Sequence, residues 1–106
     1  MSVIRDTKDL QNHYLAQITS ILSQVFKDKK CRVYLFGSRA VGDYTETSDF
    51  DIAVLASGSI SSELSIAREM LELHNIPFIV ELIDLSAASE KFVRKVREQG
   101  ILIWNN

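Results

Sequence analysis

Apolar positions recur first at helical spacing and then in short runs separated by polar turns. Leu10, Tyr14, Ile18, Ile21, Leu22, Val25 and Phe26 fall on one face of a 3.6-residue period. That spacing predicts a helix from about Thr7 to Lys27, capped by Asp6 or Thr7. Cys31 to Phe36 (CRVYLF) reads as a strand stopped by Gly37. Arg39 to Tyr44 is compatible with a short helix, and Asp43 to Ser48 is rich in turn formers. Asp49 to Leu55 reads as a second strand, followed by a Ser57-Gly58-Ser59 loop. Ser61 or Ser62 caps a helix running to about His74, with Leu64, Ala67 and Leu71 on one face and Asn75 as its stop. Pro77 opens the way to a third strand from Phe78 to Leu85 (FIVELIDL). Ser86 or Ser89 caps a last helix that turns Phe92, Val93 and Val96 inward, Gly100 ends it, and Ile101 to Trp104 forms a final strand.

Helices alternate with strands, and several strands are apolar on both sides. The class is therefore α/β of the α+β type, a short mixed β-sheet with helices packed on it. The opening helix and the short strands favour a mixed sheet over a doubly wound parallel one. No repeat, low-complexity tract or linker divides the 106 residues, so a single domain spanning 1–106 is expected.

Charge and cysteine content narrow the partners. Net charge is −2 with no basic block, so no nucleic-acid footprint is indicated. Lys27 to Lys30 and Arg94-Lys95 read as solvated helix ends. The single cysteine, Cys31, rules out an intrachain disulfide or a cysteine metal cluster, and it reads as a buried thiol opening a strand. The polar, acid-containing segment from Met1 to Asp9 does not read as a signal peptide, and no apolar run approaches the length of a membrane span. A cytoplasmic location is expected.

The stretch from Gly37 to Asp51, GSRAVGDYTETSDFD, carries the chemistry. Gly37 permits a tight turn and close approach of a ligand to the backbone, while Ser38 adds a hydroxyl and an N–H. Arg39 has two open readings: a phosphate contact, or a pair with a nearby acid such as Asp43. Asp49 and Asp51 sit two residues apart on a strand. Their side chains share one side, about 6.5–7 Å apart along it. A pair so placed can share two magnesium ions about 3.5–4 Å apart. A polar strand edge accounts for Asp49 alone. It does not account for Asp51, which lies among Phe50, Ile52, Ala53 and Val54, where an unpaired charge is costly. Glu81, between Val80 and Leu82, poses the same problem. If the second and third strands are neighbours, Glu81 faces Asp51, and three acids on one face call for a divalent cation. Asp84 falls on the opposite face as a strand-end or cap residue. His13 and His74 have no partner ligands at useful spacing, and the aromatic residues are spread along core faces without a stacking platform.

With those residues on the page, the chain resembles a minimal nucleotidyltransferase of the DNA polymerase beta superfamily. The signature there is Gly-Ser, ten residues, then Asp-x-Asp. Here it is Gly37-Ser38, Arg39 to Ser48, then Asp49-Phe50-Asp51. The third acid of that family is usually Asp, and Glu81 stands in its place, one methylene longer. The resemblance implies a nucleotidyltransferase-like fold, with ATP as donor and its β/γ-phosphates on Gly37 and Ser38. It implies two Mg2+ ions on Asp49, Asp51 and Glu81, with Glu81 also accepting the proton of an attacking hydroxyl. The small size is similar to that of antitoxins paired with HEPN-domain toxins, which transfer AMP to a tyrosine of the toxin. A HEPN-domain partner is therefore expected. Two alternatives stand beside this one: a binding module that neutralises its partner by contact, and transfer to a small-molecule hydroxyl. Apolar residues from Ile101 to Trp104 leave a homodimer or hetero-oligomer open, or a cover by the first helix.

Overall fold

The computed structural model describes residues 7–106. The Asp6 cap expected for the first helix and most of the polar N-terminal stretch lie outside the described residues. The elements are α1 (Thr7–Val25), β1 (Cys31–Phe36), α2 (Ser38–Val41), β2 (Phe50–Ala56), α3 (Ser61–Leu73), β3 (Val80–Asp84), a 3₁₀ turn (Leu85–Ala87), α4 (Glu90–Gln99) and β4 (Ile101–Asn105). The four strands form one sheet in the order β3-β2-β1-β4. β1 is antiparallel to both β2 and β4, whereas β2 and β3 run parallel and are joined through α3. The mixed α/β sheet expected from the sequence is what forms.

Strand pleating divides the sheet into two unequal faces. On one, Val33 and Leu35 of β1, Phe50, Ile52 and Val54 of β2, and Leu82 of β3 are buried. They pack on Ile18, Ile21 and Leu22 of α1 and Leu64, Ala67 and Leu71 of α3. Each fully buried side chain of this size contributes roughly 1.5–3 kcal/mol. This face therefore supplies most of the stability. The opposite face is thinner: Tyr34 and Ala53 meet Leu85 and Val96, flanked by Phe36, Leu55, Phe92 and Val93. Ala53 is sealed there, but Asp51, two residues earlier on the same face, is only partly covered. The acids emerge on this lightly covered side.

Several boundaries differ from the sequence expectation for local reasons. α2 stops at Val41 rather than reaching Tyr44, because Gly42 adopts a left-handed conformation (φ +84°) and its N–H closes on the Ser38 carbonyl. β3 starts at Val80 rather than Phe78. Phe78 packs edge-on against Phe50 and Tyr14, with ring centroids 5.6 and 5.1 Å away. Only the Ile79 carbonyl extends the ladder, accepting the Phe50 N–H at 2.9 Å. β3 ends at Asp84, whose carboxylate accepts the Ser86 N–H at 3.0 Å and caps the 3₁₀ turn. Of the two candidate caps for α4, Ser89 serves, its hydroxyl accepting the Phe92 N–H at 3.2 Å. Gly100 ends α4 for reasons of space. A Cβ there would collide with the Val96 carbonyl oxygen and lie 3.0 Å from that of Leu35. On β4, Ile103 and Trp104 pack on the main core, while Ile101 and Leu102 remain exposed.

Candidate active site

The β1–α2 turn is built on a backbone conformation that glycine alone adopts readily. Gly37 has φ +74° and ψ −156°. A Cβ on it would strike Oδ2 of Asp51. The turn and the second aspartate are thus in contact, although ten residues separate Ser38 from Asp49 in the chain.

β2 lies between the two other contributors. Asp51 is in register with Phe36 of β1 on one side and Glu81 of β3 on the other. In-register residues on adjacent parallel strands stand about 4.8 Å apart and point to the same side. Glu81 therefore stands beside Asp51, as the sequence predicted. Asp49 is exposed immediately before β2, Asp51 is half-buried, and Glu81 is exposed. Burial pushes the Asp51 carboxyl above its ordinary range, and the charges of Glu81 and then Asp49 push it further.

Arg39 is not brought into this set. Its side chain is 2 % exposed. Its Nε and Nη2 both donate to the Ser48 carbonyl, at 2.9 and 2.6 Å, and Nη1 donates to Oε1 of Gln11 at 3.3 Å. The guanidinium lies 4.0 Å from the centre of the Phe50 ring and about 5 Å from those of Tyr44 and Phe78. Both sequence readings of Arg39, phosphate contact and pairing with Asp43, give way to a third. The planar fork spends its donors on the carbonyl just ahead of Asp49, so Arg39 fixes the end of the loop from which that acid springs. Burial lowers its pKa, opposed by the nearby Tyr44 and Asp49. Its aromatic surroundings are a box around a cation, a use of Phe50 and Phe78 that the sequence did not reveal.

Gln11 was missed altogether. It is buried, and its amide donates to the Arg39 carbonyl at 3.4 Å while accepting from the Arg39 side chain. The one available sign was a polar residue directly beside the Leu10–Tyr14–Ile18 stripe. His13 and His74 are exposed and make only local contacts, His13 with Gln17 and the Tyr14 ring and His74 with the Met70 carbonyl.

With this geometry in view, comparison with known proteins is informative. The family model for "Polymerase beta, Nucleotidyltransferase" matches residues 16–106. The chain belongs to that nucleotidyltransferase family. It is 29% identical over 99 residues to the probable protein adenylyltransferase MntA of Haemophilus influenzae, covering 90% of this chain and 82% of the relative. Among solved structures it resembles the tri-AMPylated Shewanella oneidensis HEPN toxin in complex with MNT antitoxin. There the TM-score is 0.67 at 28% identity, over 91% of this chain and 73% of the matched one. A toxin–antitoxin structure with AMP-PNP aligns with a TM-score of 0.65 at 29% identity, over 83% and 73% of the two chains.

The donors at the site are hard carboxylate oxygens, the type magnesium prefers. Among the described residues no three carboxylate, imidazole or thiolate groups close into a ready-made metal cage. The tight three-acid cluster expected from the sequence is thus looser here. Magnesium does not demand such a cage, because it keeps several waters and commonly uses one or two carboxylates together with substrate phosphates. Burial first, and the neighbouring acids second, disfavour the charged form of Asp51. The residues present fit a magnesium–nucleotide complex better than a bare ion.

Proposed function

We propose that this chain transfers AMP from ATP to a hydroxyl, most directly a tyrosine of a HEPN-type toxin, and so serves as its antitoxin. The observation that carries the reading is the contact of Gly37 with Asp51 together with the register of Asp51 on Glu81. That closeness supports a reading in which the turn cradles phosphate, Asp51 ligates metal and Glu81 accepts a proton. Similarity to proteins that bind AMP-PNP and occur with an AMPylated HEPN toxin supports the choice of donor and partner.

In this reading Gly37 and Ser38 hold the β/γ-phosphates against the β1–α2 turn. Asp49, Asp51 and Glu81 hold two Mg2+ ions, which when bound offset phosphate charge. Glu81, exposed on edge strand β3, meets the incoming hydroxyl and takes its proton. The hydroxyl oxygen bonds to the α-phosphorus, the bond from that phosphorus to the bridging oxygen breaks, and pyrophosphate leaves. Positioning and charge neutralisation carry most of such a reaction. Among the described residues no helix is long and apolar enough to cross a membrane. We place the protein in the cytoplasm with its ATP.

A second reading, neutralisation of the toxin by contact alone, draws on Glu81 standing where the family usually carries Asp. One experiment separates the two. The protein is incubated with a co-encoded HEPN partner, magnesium and α-labelled ATP, beside an Asp51→Asn control. Label on the partner that disappears in the control, with the complex still formed, supports transfer. Neutralisation that persists in the control without label rejects it.

A further inference from the structure

Glu81 stands near the start of β3, a five-residue strand whose one partner in the sheet is β2. Along a strand, successive residues direct their backbone N–H and C=O groups alternately to its two sides. The Ile79 carbonyl accepts the Phe50 N–H, so Ile79, Glu81 and Ile83 direct theirs at β2. Val80, Leu82 and Asp84 direct theirs away from the sheet. Such an outward row of unpaired groups is where an edge strand opens first.

One of those outward groups is taken. Nη2 of Arg68 donates to the Leu82 carbonyl at 3.0 Å. Arg68 lies in the middle of α3, the helix that leads from β2 into β3. α3 is fixed to the core by Leu64, Ala67 and Leu71, all buried. The bond therefore runs from an anchored helix to the residue directly after Glu81. Arg68 and Glu72 have the spacing of a helical ion pair, yet among the described residues no ion pair joins them. The Arg68 side chain instead lines a hollow with Ile76, Phe78 and Val80 and reaches the strand edge from there. The other site residues stand on other elements: Gly37 and Ser38 at the β1–α2 turn, Asp51 on β2 and Asp49 just before it. Loosening of β3 displaces Glu81 and leaves those four in place.

We infer that Arg68 is a positioning residue, pinning the outer edge of β3 and so holding Glu81 opposite Asp51 to receive the proton of the attacking hydroxyl. The inference rests on the AMP-transfer reading above and adds to it a residue outside the Gly-Ser and Asp-x-Asp signature. The contact is a single bond rather than a two-pronged grip, so a lysine ammonium can replace it.

The test compares the unaltered protein with Arg68→Met, Arg68→Ala and Arg68→Lys, each incubated with a co-encoded HEPN partner, magnesium and α-labelled ATP. Met, Ala and Lys all favour helix, and circular dichroism confirms that α3 and the fold persist. Loss of one charge-assisted bond predicts a transfer rate at saturating ATP lower by about ten-fold or more in Arg68→Met and Arg68→Ala. The KM for ATP should change little, because the turn and the aspartates are untouched. Amide exchange at Glu81 and Ile83, whose N–H groups face β2, should quicken in the same two variants, and Arg68→Lys should recover most of both the rate and the protection. Full transfer by Arg68→Met, a rise in KM that matches the loss of rate, or exchange at β3 as slow as in the unaltered protein overturns this inference and leaves the AMP-transfer reading standing. No label from the unaltered protein sinks that reading and this inference with it.

Discussion

Replacing Gly37 with Ala tests the turn and the acid together. Two costs follow from the structure. The backbone at φ +74° and ψ −156° lies in a region nearly closed to residues with a Cβ, a strain of about 1–3 kcal/mol. The new methyl also meets the Asp51 carboxylate and must push it aside. The backbone cost alone should lower the melting temperature by at least about 4 °C, taking 4–8 °C per kcal/mol for a chain near this size. The steric cost should appear as a loss of protection by magnesium and ATP, because the displaced carboxylate no longer faces Glu81. Thermal unfolding followed by circular dichroism, with and without magnesium and ATP, reads both. A double-mutant cycle isolates the second cost: in an Asp51→Ala background the methyl has no carboxylate to strike, so Gly37→Ala should be milder there. Additivity of the two substitutions within about 0.3–0.5 kcal/mol would refute the claimed contact. So would a Gly37→Ala protein with unchanged melting temperature and unchanged ligand protection.

Three further outcomes are expected. Arg39→Met strips the Ser48 carbonyl of its donors and should cost roughly 1.5–3 kcal/mol in denaturant unfolding. If Arg39 instead held phosphate, stability would survive and only nucleotide affinity would fall. Asp51→Asn should raise the stability of the metal-free protein at neutral pH. The folded-state pKa of Asp51 is raised, so the folded state favours its protonated form, and stability is lost as pH rises through that value. The advantage of Asn should shrink as pH falls below the ordinary aspartate range, and magnesium should no longer stabilise the variant; a pH series of melting curves checks both. Gly100→Ala drives a methyl into the Val96 and Leu35 carbonyls and should destabilise by about 1–3 kcal/mol while leaving nucleotide affinity per folded molecule unchanged, as titration calorimetry would report.

What the sequence revealed and what it hid divide along physical lines. Alternation and spacing located every strand and each of the longer helices, because burial of one face imposes its period on the chain. The charge placed amid Phe50, Ile52 and Val54 disclosed Asp51, and the same anomaly in IVELIDL disclosed Glu81. Their alignment followed once β2 and β3 proved to be neighbours. Arg39 was misread because the sequence gives the charge of a side chain but not the direction in which it turns. Its partners, Gln11 and the Ser48 carbonyl, come from a distant helix and from a backbone atom, neither of which leaves a local pattern. The exit of Phe78 from the strand was hidden for a similar reason: its packing on Phe50 and Tyr14 is a tertiary preference that outweighs a run of β-formers. The Phe36–Phe92 ring contact also had no linear trace, since the two meet only after α4 folds back over the sheet.

The pairing of β3 on β2 makes function depend on counting. One residue added or removed between Pro77 and Val80 would bring Val80 or Leu82 to the position opposite Asp51 and swing the glutamate to the packed interior. On the proposed mechanism, so small an indel would disarm the chain by moving Glu81 away from Asp51. Length variants of that loop thus offer a way to silence chemistry without touching a single acidic residue.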